Sequence, residues 1–216
     1  IDLASLEGEE LINALKNIGV DTRHLSQCRE TLIINALNPE PGIHWAEPML
    51  AIHLRNLRAG LDLPQRSSCA SKVILALPKG MNVAYPDMDV VYIEPTYPNS
   101  LDPILVKQIT GKENPEDVGT VSLHTLWGLG RVAVTGRPLT ENVITLNTGS
   151  HVGNYLIKDG SRVSDLLDFA GVNVDEGDTV VVGGPLRGAS ISLLARGLDK
   201  ETTGVFVVPQ DSIPPL

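Results

Sequence analysis

Two polar side chains stand where an open α/β sheet would use them. Asn35 closes the apolar run Thr31-Leu-Ile-Ile-Asn35, and Glu40 follows in the loop Asn38-Pro39-Glu40-Pro41-Gly42. Ligands of such sheets bind beyond the carboxyl ends of the strands, so a carboxamide and a carboxylate there suit polar recognition. Both side chains would also serve simply to satisfy turn backbone groups, and the sequence leaves the two roles open. Elsewhere the chemistry-bearing residues are dispersed. His24, His44, His53, His124 and His151 form no pair at metal-ligand spacing. His53 falls on a leucine-rich helical stretch and reads as a boundary residue. Cys28 and Cys69 are the only cysteines and belong to no C-x-x-C pair. Two thiols cannot ligate a structural zinc or an iron–sulfur cluster on their own; a single disulfide is the remaining option. No serine sits in a G-x-S-x-G elbow, which removes support for hydrolase chemistry. Gly128-Leu-Gly130 lacks the third glycine of a dinucleotide turn and lies inside a predicted helix. Trp45 and Trp127 read as packing residues.

The elements that must position these residues follow from periodicity. Leu6, Leu11, Leu15 and Ile18 predict a first helix over residues 3–18, stopped by Gly19. Residues 31–35 predict a buried strand. A second helix is expected from Ala46, with Pro48 in its first turn and Leu50, Leu54, Leu57 and Leu61 as one apolar stripe. Residues 72–77 and 90–93 predict two strands separated by a turn-rich stretch. Helices are expected over 101–109, ended by Gly111, and over 122–134, ended by Gly136. Strands alternating with helices imply a mainly parallel sheet. After Gly136 the pattern changes: strands over 142–147 and 151–157, a helix capped by Ser161 containing Val163, Leu166, Leu167 and Phe169, then a strand over 179–182. Two strands, a helix and a further strand predict a small β-grasp-like module. The expected boundary lies near residue 138, giving domains 1–137 and 138–216.

Bulk properties exclude several classes. The 216 residues carry a net charge of −9, and no Lys/Arg cluster offers a phosphate-binding surface, so nucleic acid is not an expected partner. The longest apolar runs, such as Val180-Val181-Val182, are far shorter than the roughly 20 residues of a spanning helix, so no direct membrane span is expected. No secretory leader is visible at the start. The opening Ile1 and the closing Pro214-Pro215-Leu216 read as cuts in a longer protein.

Several segments, in order along almost the whole chain, resemble RnfC of the Rnf electron transport complex. Thr31-Leu-Ile-Ile-Asn35 with Glu40-Pro41 resembles the strand and loop that hold flavin in this family and in the related 51-kDa flavoprotein subunit of complex I. Glu94-Pro-Thr-Tyr-Pro98 and Leu105-Val-Lys-Gln-Ile-Thr-Gly111 resemble the next strand-and-helix unit. Val132-Ala-Val-Thr-Gly136, Leu139 and Asn142-Val-Ile-Thr-Leu146 resemble the join into an SLBB domain, and Gly183-Gly184-Pro185 with Gly188 resembles the turn after it. The resemblance implies an α/β protein: a Rossmann-like, mostly parallel domain that binds FMN and exchanges electrons with NADH, then a β-grasp-like SLBB domain. It also implies [4Fe–4S] clusters in a cysteine-rich segment beyond residue 216. NqrA of the sodium-pumping NADH:quinone reductase is similar in architecture and lacks the flavin site.

The same resemblance carries candidate flavin-pocket positions onto Asn35, Glu40, Tyr97, Ser100, Asp102 and His124. The pocket departs from the family's pattern at four places. The glycine-rich phosphate loop corresponds to Ile18-Gly-Val-Asp-Thr-Arg-His24, with one glycine; the acids before Glu40-Pro41 are Leu37 and Asn38; Asn99-Ser100-Leu101-Asp102 stands where glycines open a helix; and His124 replaces an asparagine. Phosphate cradles need bare backbone N–H groups, so FMN binding is expected to be lost or reshaped. The expectation is the soluble core of an electron-transfer subunit. Its expected place is cytoplasmic, peripheral to the inner face of the cell membrane, with the other subunits of the complex as partners. Two alternatives stand beside it: a ligand-binding or scaffold module using the SLBB domain, and an NADH–FMN dehydrogenase with an unusual pocket.

Overall fold

The computed structural model describes residues 3–25, 27–81 and 88–212, the side chain of Leu54 excepted. The chain divides into two compact units, Ile1–Pro39 with Ala46–Leu139, and Glu40–Trp45 with Thr140–Leu216. Glu40–Trp45 thus fold with the second unit, where the sequence reading kept them with the first.

The first unit opens with α1 (Gly8–Asn17), whose Leu11 and Leu15 are fully buried. Its end is closed by Gly19 at φ 89°: the Gly19 N–H donates to Lys16 O at 3.1 Å and the Val20 N–H to Leu15 O at 3.0 Å. This is the glycine-dependent closure that satisfies last-turn carbonyls. Strand β1 (Thr31–Asn35) is followed by α2 (Ala46–Ile52) and α3 (Leu54–Ser68). The single helix expected here bends at His53, whose φ of −105° and ψ of 22° leave the helical region, although hydrogen bonds His53 N to Met49 O and Leu57 N to His53 O span the bend. Leu50 and Leu57 of the expected stripe are buried.

β2 (Lys72–Pro78) and β3 (Asp89–Ile93) come next; the turn-rich stretch expected between them lies largely outside the described residues. Then follow α4 (Asp102–Thr110), β4 (Val118–Ser122) and α5 (Leu123–Thr135), the two helices ending on Gly111 and Gly136 in the left-handed conformation. The sheet order is β3-β2-β1-β4, all parallel. The order reverses between β1 and β4, so the carboxyl ends of these two strands form the topological switch point. Ile33, Leu37, Ile74, Ala76, Ile93 and Leu105 fill one face of the sheet. Opposed helices α3 and α5 meet through glycines. A Cβ at Gly60 would sit 2.7 Å from Leu126 O, and one at Gly130 would overlap the Asn56 carbonyl. Gly128 lies against Leu139. The Gly128-Leu-Gly130 pattern is therefore a packing feature.

The second unit contains the hairpin β5 (Glu141–Asn147) and β6 (Val152–Lys158), α6 (Val163–Ala170), β7 (Thr179–Val182), β8 (Ala189–Ile191) and β9 (Gly204–Val208). Its sheet order is β6-β5-β9-β7-β8, with β9 parallel to β5 and the other pairs antiparallel. A hairpin, a helix and a last strand returning parallel to the first make a β-grasp arrangement. Val163, Leu166 and Leu167 of α6 pack with Ile144, Leu146 and Val205. Two features differ from expectation. The helix cap is Arg162 rather than Ser161. Phe169, expected on the apolar stripe, is 82% exposed.

Candidate functional site

The switch point gathers three of the six candidate residues. Asn35 ends β1, opposite Ser122 at the end of β4, and is buried. Its Nδ2 donates to Ser100 O at 2.9 Å and to Asp102 Oδ1 at 2.9 Å, while its Oδ1 accepts from the Leu37 N–H at 3.2 Å. Asp102 is the first residue of α4, where the helix dipole favours a carboxylate. Its second oxygen, Oδ2, accepts from Thr120 Oγ1 at 2.8 Å. Ser100 Oγ donates to Pro39 O at 3.2 Å. A carboxamide, a carboxylate and two hydroxyls thus knit β1, β4 and the start of α4 together. These four side chains include one carboxylate and no second titratable group, so their chemistry is orientation and hydrogen bonding, not proton transfer.

Tyr97 and His124 stand apart from these bonds. Tyr97 is 42% exposed and precedes a cis bond to Pro98. The His124 ring, on the first turn of α5, lies 6.1 Å from that of Trp127. Thr120 was missed in the sequence reading because β4 was missed; the β-branched pair Val118 and Thr120 was its only signal. Ser122 Oγ accepts from Thr125 N at 3.0 Å and caps α5, as its S-x-x-T spacing allows.

Glu40 belongs to the second unit and serves its last turn. Its carboxylate, 3% exposed, accepts from the Leu186 N–H at 2.8 Å, the Arg187 N–H at 3.3 Å and Arg187 Nε at 2.7 Å. Gly184 lies so close that a Cβ there would overlap the carboxylate. The Glu40-Pro41 motif and the Gly183-Gly184-Pro185 motif are therefore two halves of one lock.

The segment at residues 18–24 does not fit a phosphate. The N–H groups of Ile18, Gly19 and Val20 donate to carbonyls of α1, and the Arg23 N–H donates to Asp21 Oδ1 at 3.0 Å. This is the carboxyl end of a helix, whose dipole repels an anion. The Arg23 guanidinium is turned onto Asp21 by bonds of 2.9 Å from Nε and Nη2, which holds the Asp21 carboxyl below its ordinary pKa. Ile18, Val20 and Leu25 are buried.

The second unit also carries an open cleft of about 530 Å³, lined among others by His151, Asp175, Glu176, Gln210 and Asp211. Among the described residues no group of three or more His, Cys, Asp or Glu is placed to hold a metal ion. No described helix is long and apolar enough to cross a membrane.

No protein-family model matches the chain. It is similar to three bacterial proteins named as the RnfC subunit of an ion-translocating oxidoreductase complex. The one from Erwinia tasmaniensis is 32% identical over 76% of the chain and 23% of its own length. That from Pectobacterium atrosepticum is 31% identical over 76% and 27%, and that from Buchnera aphidicola 25% over 82% and 41%. The chain therefore spans from about a quarter to two fifths of these relatives' lengths. A chain in the crystal structure of an air-oxidized NAD+-reducing [NiFe]-hydrogenase shares the fold, with a TM-score of 0.69 and 19% identity over 91% of this chain and 46% of that one.

Proposed function

We propose, on the premise that the chain is RnfC-like, that it is the core of an electron-transfer subunit of a membrane-associated oxidoreductase complex. The supporting observation is the similarity to the RnfC proteins over 76% to 82% of the chain, a span that requires residues of both units. In this reading the core positions neighbouring subunits and iron–sulfur clusters whose ligands lie outside these 216 residues, since two cysteines cannot hold one. The complex places the chain at the cytoplasmic membrane face through its partner subunits.

FMN and NADH are not assigned to this core. The backbone N–H groups a flavin phosphate needs are committed to closing α1, and Asn35 and Asp102 hydrogen-bond to each other. Hydride transfer then belongs to another component, because no side chain performs it without a cofactor.

The test uses the full gene product, affinity-tagged and purified from detergent-solubilised membranes. Co-purification with membrane subunits and an iron–sulfur absorbance support the reading. A lone protein without clusters sinks it. FMN affinity is measured on the same sample: a Kd tighter than micromolar, about −8 kcal/mol, would restore the NADH–FMN dehydrogenase alternative. A second reading, a ligand-binding or scaffold module, is favoured by the cleft in the second unit; a cluster-free protein stabilised by a small cationic ligand would establish it.

A further inference from the structure

We propose that Cys28 and Cys69 form a redox-active dithiol, a modification site that closes reversibly to an intrachain disulfide by exchange with a low-molecular-weight disulfide.

The placement follows from the sheet. β1 and β2 pair in parallel with Thr31 opposite Lys72. The same offset carried back three residues matches Cys28 with Cys69. The two chains stay laterally bonded over this stretch: the Arg29 N–H donates to Ser68 O at 2.8 Å, and the Ser71 and Lys72 N–H groups donate to Glu30 O at 3.0 and 3.1 Å. Paired chains run about 5 Å apart. That lies within the window of about 4.4–6.8 Å between Cα atoms that a disulfide accepts. Cys69 ends α3 in the left-handed conformation, at φ 57°. Both side chains are exposed and reduced, and the Cys28 thiol is hydrogen-bonded to that of Cys69, which raises its pKa above the ordinary value.

The pair is distinct from the switch-point network. Cys28 precedes Asn35 by seven residues of nearly extended chain, about 23 Å at strand rise. It therefore lies toward the amino end of the sheet.

The chemistry balances as two exchanges. One cysteine thiolate attacks the external disulfide and releases one small thiol. The second cysteine then attacks the resulting mixed disulfide, forming the Cys28–Cys69 bond and releasing the other. Two protein thiols give up two electrons and two protons, and the disulfide becomes two thiols. Because the thiolate is the nucleophile and the Cys28 pKa is raised, closure accelerates as pH rises above neutral, by up to about tenfold per unit.

The experiment incubates the purified chain with oxidised glutathione at pH 8 and digests it after alkylation of free thiols. The expected product is a peptide joining Cys28 to Cys69, lighter by two hydrogens than its reduced parts and reversed by dithiothreitol. The cross-linked chain should melt several degrees higher, because the bond closes a long loop. In Cys28→Ser and Cys69→Ser variants the first step still occurs, so a single glutathione adduct should persist on the remaining cysteine. The inference is overturned if wild type accumulates adducts on both cysteines without the cross-link, or if bonds form only between chains.

Discussion

Glu40 separates a structural carboxylate from a cofactor-binding one, and its replacement by alanine discriminates between them. In the structure it accepts two backbone N–H groups and one guanidinium with almost no exposure. The 2.8 Å bond from Leu186 N–H is charge-assisted, a class contributing about 1.5–3 kcal/mol, and its loss leaves a part-buried donor unmet. The longer Arg187 N–H bond adds less. The ion pair adds about 1 kcal/mol or under, because the Arg187 side chain is 58% exposed and water replaces its partner. Glu40→Ala should therefore cost about 3 kcal/mol, lowering the melting transition by about 10 °C for a chain of this size. Arg187→Ala should cost about 1 kcal/mol. Circular dichroism melts give the midpoint, and hydrogen exchange gives the local readout: the Leu186 and Arg187 amides should lose protection in Glu40→Ala. If the variant melts with wild type and those amides stay protected, Glu40 does not hold the turn and the reasoning fails.

Two further outcomes are expected. Gly130→Ala gains about 1 kcal/mol of helix propensity, but its Cβ overlaps the Asn56 carbonyl at the α3–α5 crossing; a net loss of about 2 kcal/mol in urea unfolding is expected, and a stabilised variant would contradict the close approach. His53 is held below its ordinary pKa by burial, with Arg131 adding repulsion. The unfolded state then binds more protons as pH falls below about 6.5, so stability drops in that direction. His53→Gln should flatten the dependence of the melting midpoint between pH about 6.5 and 5, and an unchanged slope would refute the assignment.

The fold was legible where one signal sufficed. Continuous apolar runs marked β1, β2 and β3, and glycine stops marked the ends of α4 and α5. β4 escaped because Val118-Gly-Thr-Val-Ser122 is short, holds a glycine and runs directly into the Ser122 cap of α5. β8 and β9 escaped because the reading stopped at Gly183, although Gly-Val-Phe-Val-Val over 204–208 is an apolar run. Asn35 was legible from its position at a strand end. Thr120 was not, because its partner Asp102 is fixed by a parallel register that no local pattern encodes. Glu40 was legible as buried or bound, but a carboxylate's partner 147 residues away leaves no local trace.

Residues 40–45 bear on how the protein is made. Asn38 Oδ1 accepts from the Ala46 N–H at 3.0 Å and closes the base of this detour. Within it, His44 O accepts from Asn154 Nδ2 at 2.9 Å and Gly42 O from Asn147 Nδ2 at 3.0 Å. The ribosome therefore delivers one edge of the β-grasp unit about a hundred residues before the strands it serves. A fragment expressed from residue 140 onward would lack that edge, with Asn147, Asn154, Leu186 and Arg187 deprived of their acceptors.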